Sequence, residues 1–365
     1  MIIKNERKAQ FITLAICFVI FGGLLLVANQ SQTNEINERG VYFERGRVIR
    51  VIDETFDPFH HQILEVEILS GELEGVNAQA ENNLLDHTTR IFSEGDLVTV
   101  LLGNNVIQIS SPERGTFLIS FVVFFLILLC LIGGKRGILA VMGLLFSLAS
   151  IVFILVPLTL AGYPAILVAI GIGSLITVAD ITFLAGFNAK SISAIFGCIS
   201  GVLIAALFAF GAGQLAFISG YHTEHAGSLM AWDVDISLSG IFISGVIISA
   251  MGAITDTSIS IASAMEEVKL ASPTISTAKL AKAGFNVGRD IMGTMSNTLI
   301  LAFVGSSFSL LLLVSSTNVT LTEFINDSEI GIEIIKGVAG SIGVVLTAPM
   351  TAFIAAKLFS VANGK

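Results

Sequence analysis

The sequence predicts a polytopic α-helical membrane protein with about eight transmembrane helices and one small β-rich extracytoplasmic domain. Three observations carry this expectation. Of 365 residues, 54% are hydrophobic and 13% charged, where an ordinary soluble domain carries roughly 25% charged residues. The mean hydropathy of +0.87 comes from apolar runs of membrane-spanning length that recur through most of the chain. The acidic residues, which set the net charge of −9, are concentrated between Gln30 and Gly115. That pattern describes a solvated exterior domain better than an acidic binding surface.

The first apolar run, Phe11 to Ala28, follows Lys4, Arg7 and Lys8. Cleaved signal peptides begin in the same way, but the run is long and Leu26–Ala28 is a poor small-x-small cleavage site. Residues 1–29 therefore read as a retained signal anchor. Residues 30–115 change character: Val48–Ile52, Ile63–Leu69 and Asp96–Leu102 are β-rich, and Gly71, Gly75, Gly95 and Gly103 mark turns. Short strands at this spacing suggest a small barrel or sandwich, OB-like, closed off by Pro112 and Gly115.

Residues 116–365 read as a membrane domain of about seven helices, with apolar runs near 117–132, 137–160, 164–187, 192–220, 238–265, 291–314 and 334–360. With the N-terminus inside, the short inner segments hold Lys4, Arg7, Lys8, Lys135, Arg136, Lys190, Lys269, Lys279, Lys282, Arg289, Lys357 and Lys365. The short outer segments hold only Lys336, so both termini are expected in the cytoplasm and residues 30–115 outside. Within the inner loop 266–290, the segment Ser276–Phe285 fits either a short helix lying on the membrane surface or a solvated connection. Pro157 and Pro349 are expected to kink their spans, and Trp232 to anchor at the outer interface.

Ionisable residues inside a span are costly, and they mark a pathway, a relay or a buried pairing. Asp180 lies about 10 Å of helix rise from the inner end of its run, Asp256 about 13 Å, and Asn297 about 9 Å. Gly173, Thr177 and Asp180 share one helical face, as do Ser249, Gly252, Asp256, Ser260 and Ser263 on a second helix and Asp290, Thr294 and Asn297 on a third. Small and polar faces permit close approach and interhelical hydrogen bonds, so these three are expected to meet. Two readings remain open. One is a proton or ion relay built from Asp180, Asp256, Asn297, Asp290, Arg289, Thr294, Thr177 and Ser260. The other is a structural seam, in which an aspartate forms a static pair with Arg289.

Elsewhere the chemistry thins out. His222, Glu224 and His225, near Asp233 and Asp235, have a spacing that could share a metal, but without an HExxH helix a solvated loop is the simpler reading. His60 and His61 beside Asp57 are read in the same way. Cys17, Cys130 and Cys198 all sit in apolar runs and read as small packing residues. There is no GxSxG and no P-loop, so neither an enzyme nor a cofactor is expected. The bilayer is the expected partner, with no nucleic acid. The tetrapeptide Ala-Gly-Phe-Asn occurs at 185–188 and again at 283–286, which hints at two related helix pairs.

The run Met251-Gly-Ala-Ile-Thr-Asp-Thr-Ser-Ile-Ser-Ile-Ala-Ser-Ala-Met-Glu-Glu267, followed by Gly288-Arg-Asp-Ile-Met-Gly-Thr-Met-Ser-Asn-Thr-Leu-Ile-Leu-Ala302, resembles the YibE/F-like family of bacterial membrane proteins. That resemblance implies a bacterial plasma-membrane location and a partner, either a paralogous YibE/F-like subunit or a second copy. More distantly, Gly252, Asp256, Glu266-Glu267, Gly284-Phe285 and Asn297-Thr298 resemble the SecD-type subunit of the resistance–nodulation–division superfamily. This second resemblance implies that Asp256 responds to protons, with Asn297 as its neighbour, and offers no counterpart for Asp180. The functional expectation is a membrane transporter or export-associated protein driven by protons. The alternative is a non-transporting scaffold that presents the exterior domain to a paralogous partner.

Overall fold

The computed structural model describes residues 15–24, 41–55, 61–71, 73–83, 90–103, 106–221, 226–231, 236–316 and 319–361. It divides into two compact units: residues 33–132, and residues 1–32 together with 133–365.

In the first unit, five strands form a closed barrel: β1 (Val41–Thr55), β2 (His61–Ile68), β3 (Asn77–Asn83), β4 (Leu97–Gly103) and β5 (Val106–Pro112). Their order is β1-β2-β3-β5-β4, with β1 long enough to pair with both β2 and β4. All these ladders are antiparallel except β3–β5, a parallel contact with the single register pair Glu81–Gln108. Alternation sends Gln62, Leu64, Val66 and Ile68 of β2 inward, where they join Val48, Ala80, Phe92, Val98 and Val100. A side chain at Gly46 would put its Cβ 2.8 Å from Val100 Cγ2, so glycine is what lets the wall close there.

One polar cluster lies in this core. Gln62 receives the Phe92 backbone N–H at 3.0 Å and donates to the Phe92 carbonyl at 3.2 Å, and Asn82 donates to Gln62 Oε1 at 3.0 Å. The cluster ties the segment before β4 to the barrel interior.

The second unit is helical, built from α1 (Ala15–Leu24) and the helices that follow the barrel. These are α2 (Gly115–Ser150, shared between the units), α3 (Val156–Leu160), α4 (Ala165–Ala185), α5 (Ala189–Leu215), α6 (Ala226–Ala231), α7 (Leu238–Ala271), α8 (Thr277–Ser306), α9 (Phe308–Ser316), α10 (Leu321–Asn326) and α11 (Ser328–Val361). A π-helical stretch, Ile151–Leu155, joins α2 to α3 immediately before Pro157. A wider turn at this point accommodates a ring that cannot donate a backbone hydrogen bond.

Among the described residues, five helices are long and apolar enough to cross a membrane: Gly115–Leu160, Ala165–Ala185, Ala189–Leu215, Leu238–Ala271 and Ser328–Ser360. A sixth is counted if α8 and α9, bent by 59°, form one span. The chain is a helical membrane protein.

Small residues hold α5, α7 and α11 together. A Cβ at Gly201 of α5 would collide with Thr347 Oγ1 of α11 and come within 2.9 Å of Ile254 Cγ2 of α7. One turn earlier, Gly197 bears in the same way on Thr351, whose hydroxyl lies 3.4 Å from Ser258 of α7. Lipid is as apolar as any side chain, so close backbone approach and van der Waals contact do the work that burial does in water. Lys190 and Glu266 form an ion pair at 2.7 Å that joins the start of α5 to the end of α7.

The repeated tetrapeptide takes two different conformations. At 185–188 it is a turn: Gly186 has φ 75°, and Asn188 caps α5 by accepting the Ser191 N–H. At 283–286 it lies within continuous helix. The segment 276–285 is likewise the first part of α8 and not a separate surface helix.

Candidate functional site

The site is built on Asp180, in the last two turns of α4. Ser147 Oγ, on α2, lies 2.9 Å from Asp180 Oδ2 and also 2.9 Å from the Gly143 carbonyl of its own helix. A hydroxyl has one proton to give. When Ser147 donates to the aspartate, the carboxylate is the charged partner. When Ser147 donates to the Gly143 carbonyl, its lone pair is free to accept from a protonated Asp180. Ser147 can therefore pair with Asp180 Oδ2 in either protonation state.

Among the described residues, the other oxygen, Asp180 Oδ1, is buried with no hydrogen-bond partner. A Cβ at Gly143 would stand 2.8 Å from it, so glycine is needed for the carboxylate to fit against α2. Among the described residues Asp180 makes no ion pair, and none joins it or Asp256 to Arg289.

On α4, one turn from Asp180, Thr177 is buried with its hydroxyl 3.5 Å from Cys198 Sγ of α5. The same sulfur lies 3.2 Å from Thr255 Oγ1 of α7. This hydroxyl–thiol–hydroxyl thread crosses from α4 through α5 to α7 and ends at the residue before Asp256.

The three polar faces expected to meet do so only in part. Gly173 approaches α7 closely, where a Cβ would sit 3.3 Å from Met251 Sδ, and Thr177 reaches Thr255 through the thiol. Asp256, however, shares an exposed stripe of α7 with Gly245, Ser249 and Gly252. Asp290, Thr294 and Asn297 are exposed on α8, as is Arg289, while Ser260 is half-buried. The hydroxyl of Thr294 is turned back onto the Ile291 carbonyl at 2.8 Å. Thus α4 meets α7 through interior threonines, and the aspartate of α7 looks away from that contact. His222, His225, Glu224, Trp232, Asp233, Asp235, His60 and Asp57 lie outside the described residues.

Ser147, Gly143 and Thr255 escaped the sequence reading, and Cys198, read there as packing, lies between two hydroxyls. Two spacings could have pointed to them. Gly143, Ser147 and Ser150 form a small face at i, i+4, i+7, and Gly197 and Gly201 bracket Cys198 on α5.

No curated protein and no solved structure matches the chain. The family model described as YibE/F-like protein matches residues 121–361, the helical region that contains every residue of the site just described. The chain therefore belongs to the YibE/F-like family.

Proposed function

We propose that this protein is a proton-coupled membrane transporter or export-associated protein, with Asp180 as its primary proton-binding group and Asp256 as the second. The supporting observation is the Ser147 hydroxyl, placed 2.9 Å from both the carboxylate and a backbone carbonyl, so that Asp180 is accommodated with or without its proton. The reading assigns the protein no enzymatic step and no cofactor.

It includes eight spans. The element Gly115–Leu160 has 46 residues, about 69 Å of helix against a hydrocarbon core of about 30 Å. Its backbone leaves helical geometry at Gly134 (φ 54°, ψ −131°), immediately before Lys135 and Arg136, a natural inner turn between two spans. Adding α1 and the bent α8–α9 pair to these gives the count. The barrel, with its β1-β2-β3-β5-β4 order, is read as an OB-type domain outside a bacterial plasma membrane, and both termini as cytoplasmic. A paralogous subunit or second copy is the proposed membrane partner.

A scaffold reading has one observation in its favour: residues 33–132 form a compact unit of their own, as a presented domain would. Neutral substitution separates the two readings. In a deletion-rescue assay at matched membrane abundance, Asp180→Asn is expected to abolish rescue and Asp256→Asn to reduce it at least about tenfold. Full rescue by both variants would sink proton coupling, and rescue by the exterior domain on a generic anchor would establish the scaffold.

A further inference from the structure

We infer that the cleft between α8 and α11 binds a zwitterionic phospholipid with a primary ammonium headgroup. Glu333 and Lys336 take the headgroup, and the apolar cavity beside them takes one acyl chain. The inference is independent of the reading of Asp180 and Asp256.

The charges of α11 set the level of this pair. Between Lys336 and Lys357 the helix carries no charged residue, and residues 337–356 rise about 30 Å, the thickness of the hydrocarbon core. Glu333 and Lys336 thus stand at one edge of that core, where lipid headgroups lie. They are neighbours on one helical face and meet at 2.6 Å, each side chain 24% exposed.

The pair is incomplete. Among the described residues, Lys336 donates only to Glu333 Oε1, which leaves two of its three N–H groups and Glu333 Oε2 without a partner. Attraction within a largely buried ion pair offsets its desolvation only when the remaining donors and acceptors are also satisfied. A zwitterion of the opposite order satisfies them: its phosphate accepts from Lys336 and its ammonium donates to Glu333. An anionic headgroup offers Glu333 no donor, and a quaternary ammonium has no N–H to give. The chemistry therefore selects a primary ammonium beside a phosphate.

Glu333 also lines a cavity of about 220 Å³. Ser307 is the only other polar side chain in its wall, and Ile300, Phe303, Leu311, Phe324 and Ile334 supply most of the rest. The cavity lies at the break where α9 turns 59° from the line of α8, and no residue of α9 is buried. A second hollow of about 470 Å³ shares Ile300 and Val338 with the first and continues along α11 to Val345 and Leu346. From Lys336 to Val345 the helix rises about 14 Å, close to the half-thickness of the hydrocarbon core that one acyl chain fills. Ile300, Ile334, Val338 and Val345 are exposed, so the trough opens sideways and a lipid enters it without crossing the bundle.

The test is photo-crosslinking of the full-length protein in phosphatidylcholine nanodiscs. Each preparation contains a trace of one phospholipid with a diazirine midway along an acyl chain, and labelled peptides are identified by mass spectrometry. The phosphatidylethanolamine probe should label residues 300–311 and 330–345 about tenfold more than phosphatidylcholine or phosphatidylglycerol probes, the effect of one hydrogen bond to a charged group. Unlabelled phosphatidylethanolamine should compete. Glycerophosphoethanolamine, the same headgroup without chains, should not.

Glu333→Gln and Lys336→Met should each bring phosphatidylethanolamine labelling down to the phosphatidylcholine level and leave the phosphatidylcholine probe unaffected. Equal labelling by all three probes in the native protein, a result that needs no variant, would make the cleft ordinary lipid contact and overturn the inference. Preference for the phosphatidylglycerol probe would overturn it as well, as would a preference that survives both substitutions. Competition by the chainless headgroup at the same concentration would refute the acyl-chain assignment.

Discussion

The barrel and the helical bundle solve the same packing problem in two solvents, and their cores differ accordingly. The barrel, a water-type fold, is filled by Val48, Leu64, Val66, Val98 and Val100 alternating inward from strands. The bundle brings its central helices together through Gly197, Gly201 and Gly343 and the threonines at 347 and 351. Its large residues, Leu167, Leu207 and Phe353 among them, stay exposed on the outside. In water, burying an aliphatic side chain contributes about 1.5–3 kcal/mol. In hydrocarbon that transfer contributes almost nothing, so helices are joined by fit and by hydrogen bonds. Polar groups follow the same division: the Gln62 cluster pins a loop in the barrel, whereas the Thr177–Cys198–Thr255 thread joins helices.

Substitutions that exchange one rule for the other should break the contrast most sharply. Gly201→Val drives a side chain into Thr347 and Ile254, and more than about 3 kcal/mol of bundle stability should be lost. Size-exclusion of detergent-solubilised protein should then show aggregate, whereas Gly245→Val, with nothing within 4 Å of its Cβ position, should run as the native protein does. Leu64→Ala empties the middle of the barrel and should cost about 2–5 kcal/mol, read from hydrogen exchange of β2 amides in the intact protein.

Gln62→Ala should cost about 1–3 kcal/mol in the same measurement, because the Phe92 N–H and Asn82 lose their partner. The smallest effect is expected from Leu207→Ala on the exposed side of α5, within about 0.5 kcal/mol by thermal unfolding. A large effect there would mean that the face is covered by protein rather than lipid.

Legibility in the sequence followed the same line. Strands β1, β2 and β4 were visible as β-rich runs because hydrophobic burial leaves a pattern. β3, Asn-Ala-Gln-Ala-Glu-Asn-Asn, was invisible because its place comes from the ladder with β2 and not from its own composition. β5 was missed beside it, its short apolar start giving way to Gln108, Ser110 and Ser111. Asp180 and Asp256 were legible by cost alone, since a carboxylate within an apolar run is conspicuous whatever the fold. Their surroundings were not. Helical spacing puts Ser249, Gly252 and Asp256 on one face but does not say which neighbour covers it, and here the described residues leave it open. Cys198 looked like packing because a thiol's hydrogen bonds depend on which hydroxyls other helices bring to it.

The single register pair between β3 and β5 has a mechanical consequence. A wall stitched along four joints and tacked at a fifth has a seam, and under load it parts there first. Pulled apart or invaded by a foreign strand, this barrel should unzip between Glu81 and Gln108 while its other ladders still hold.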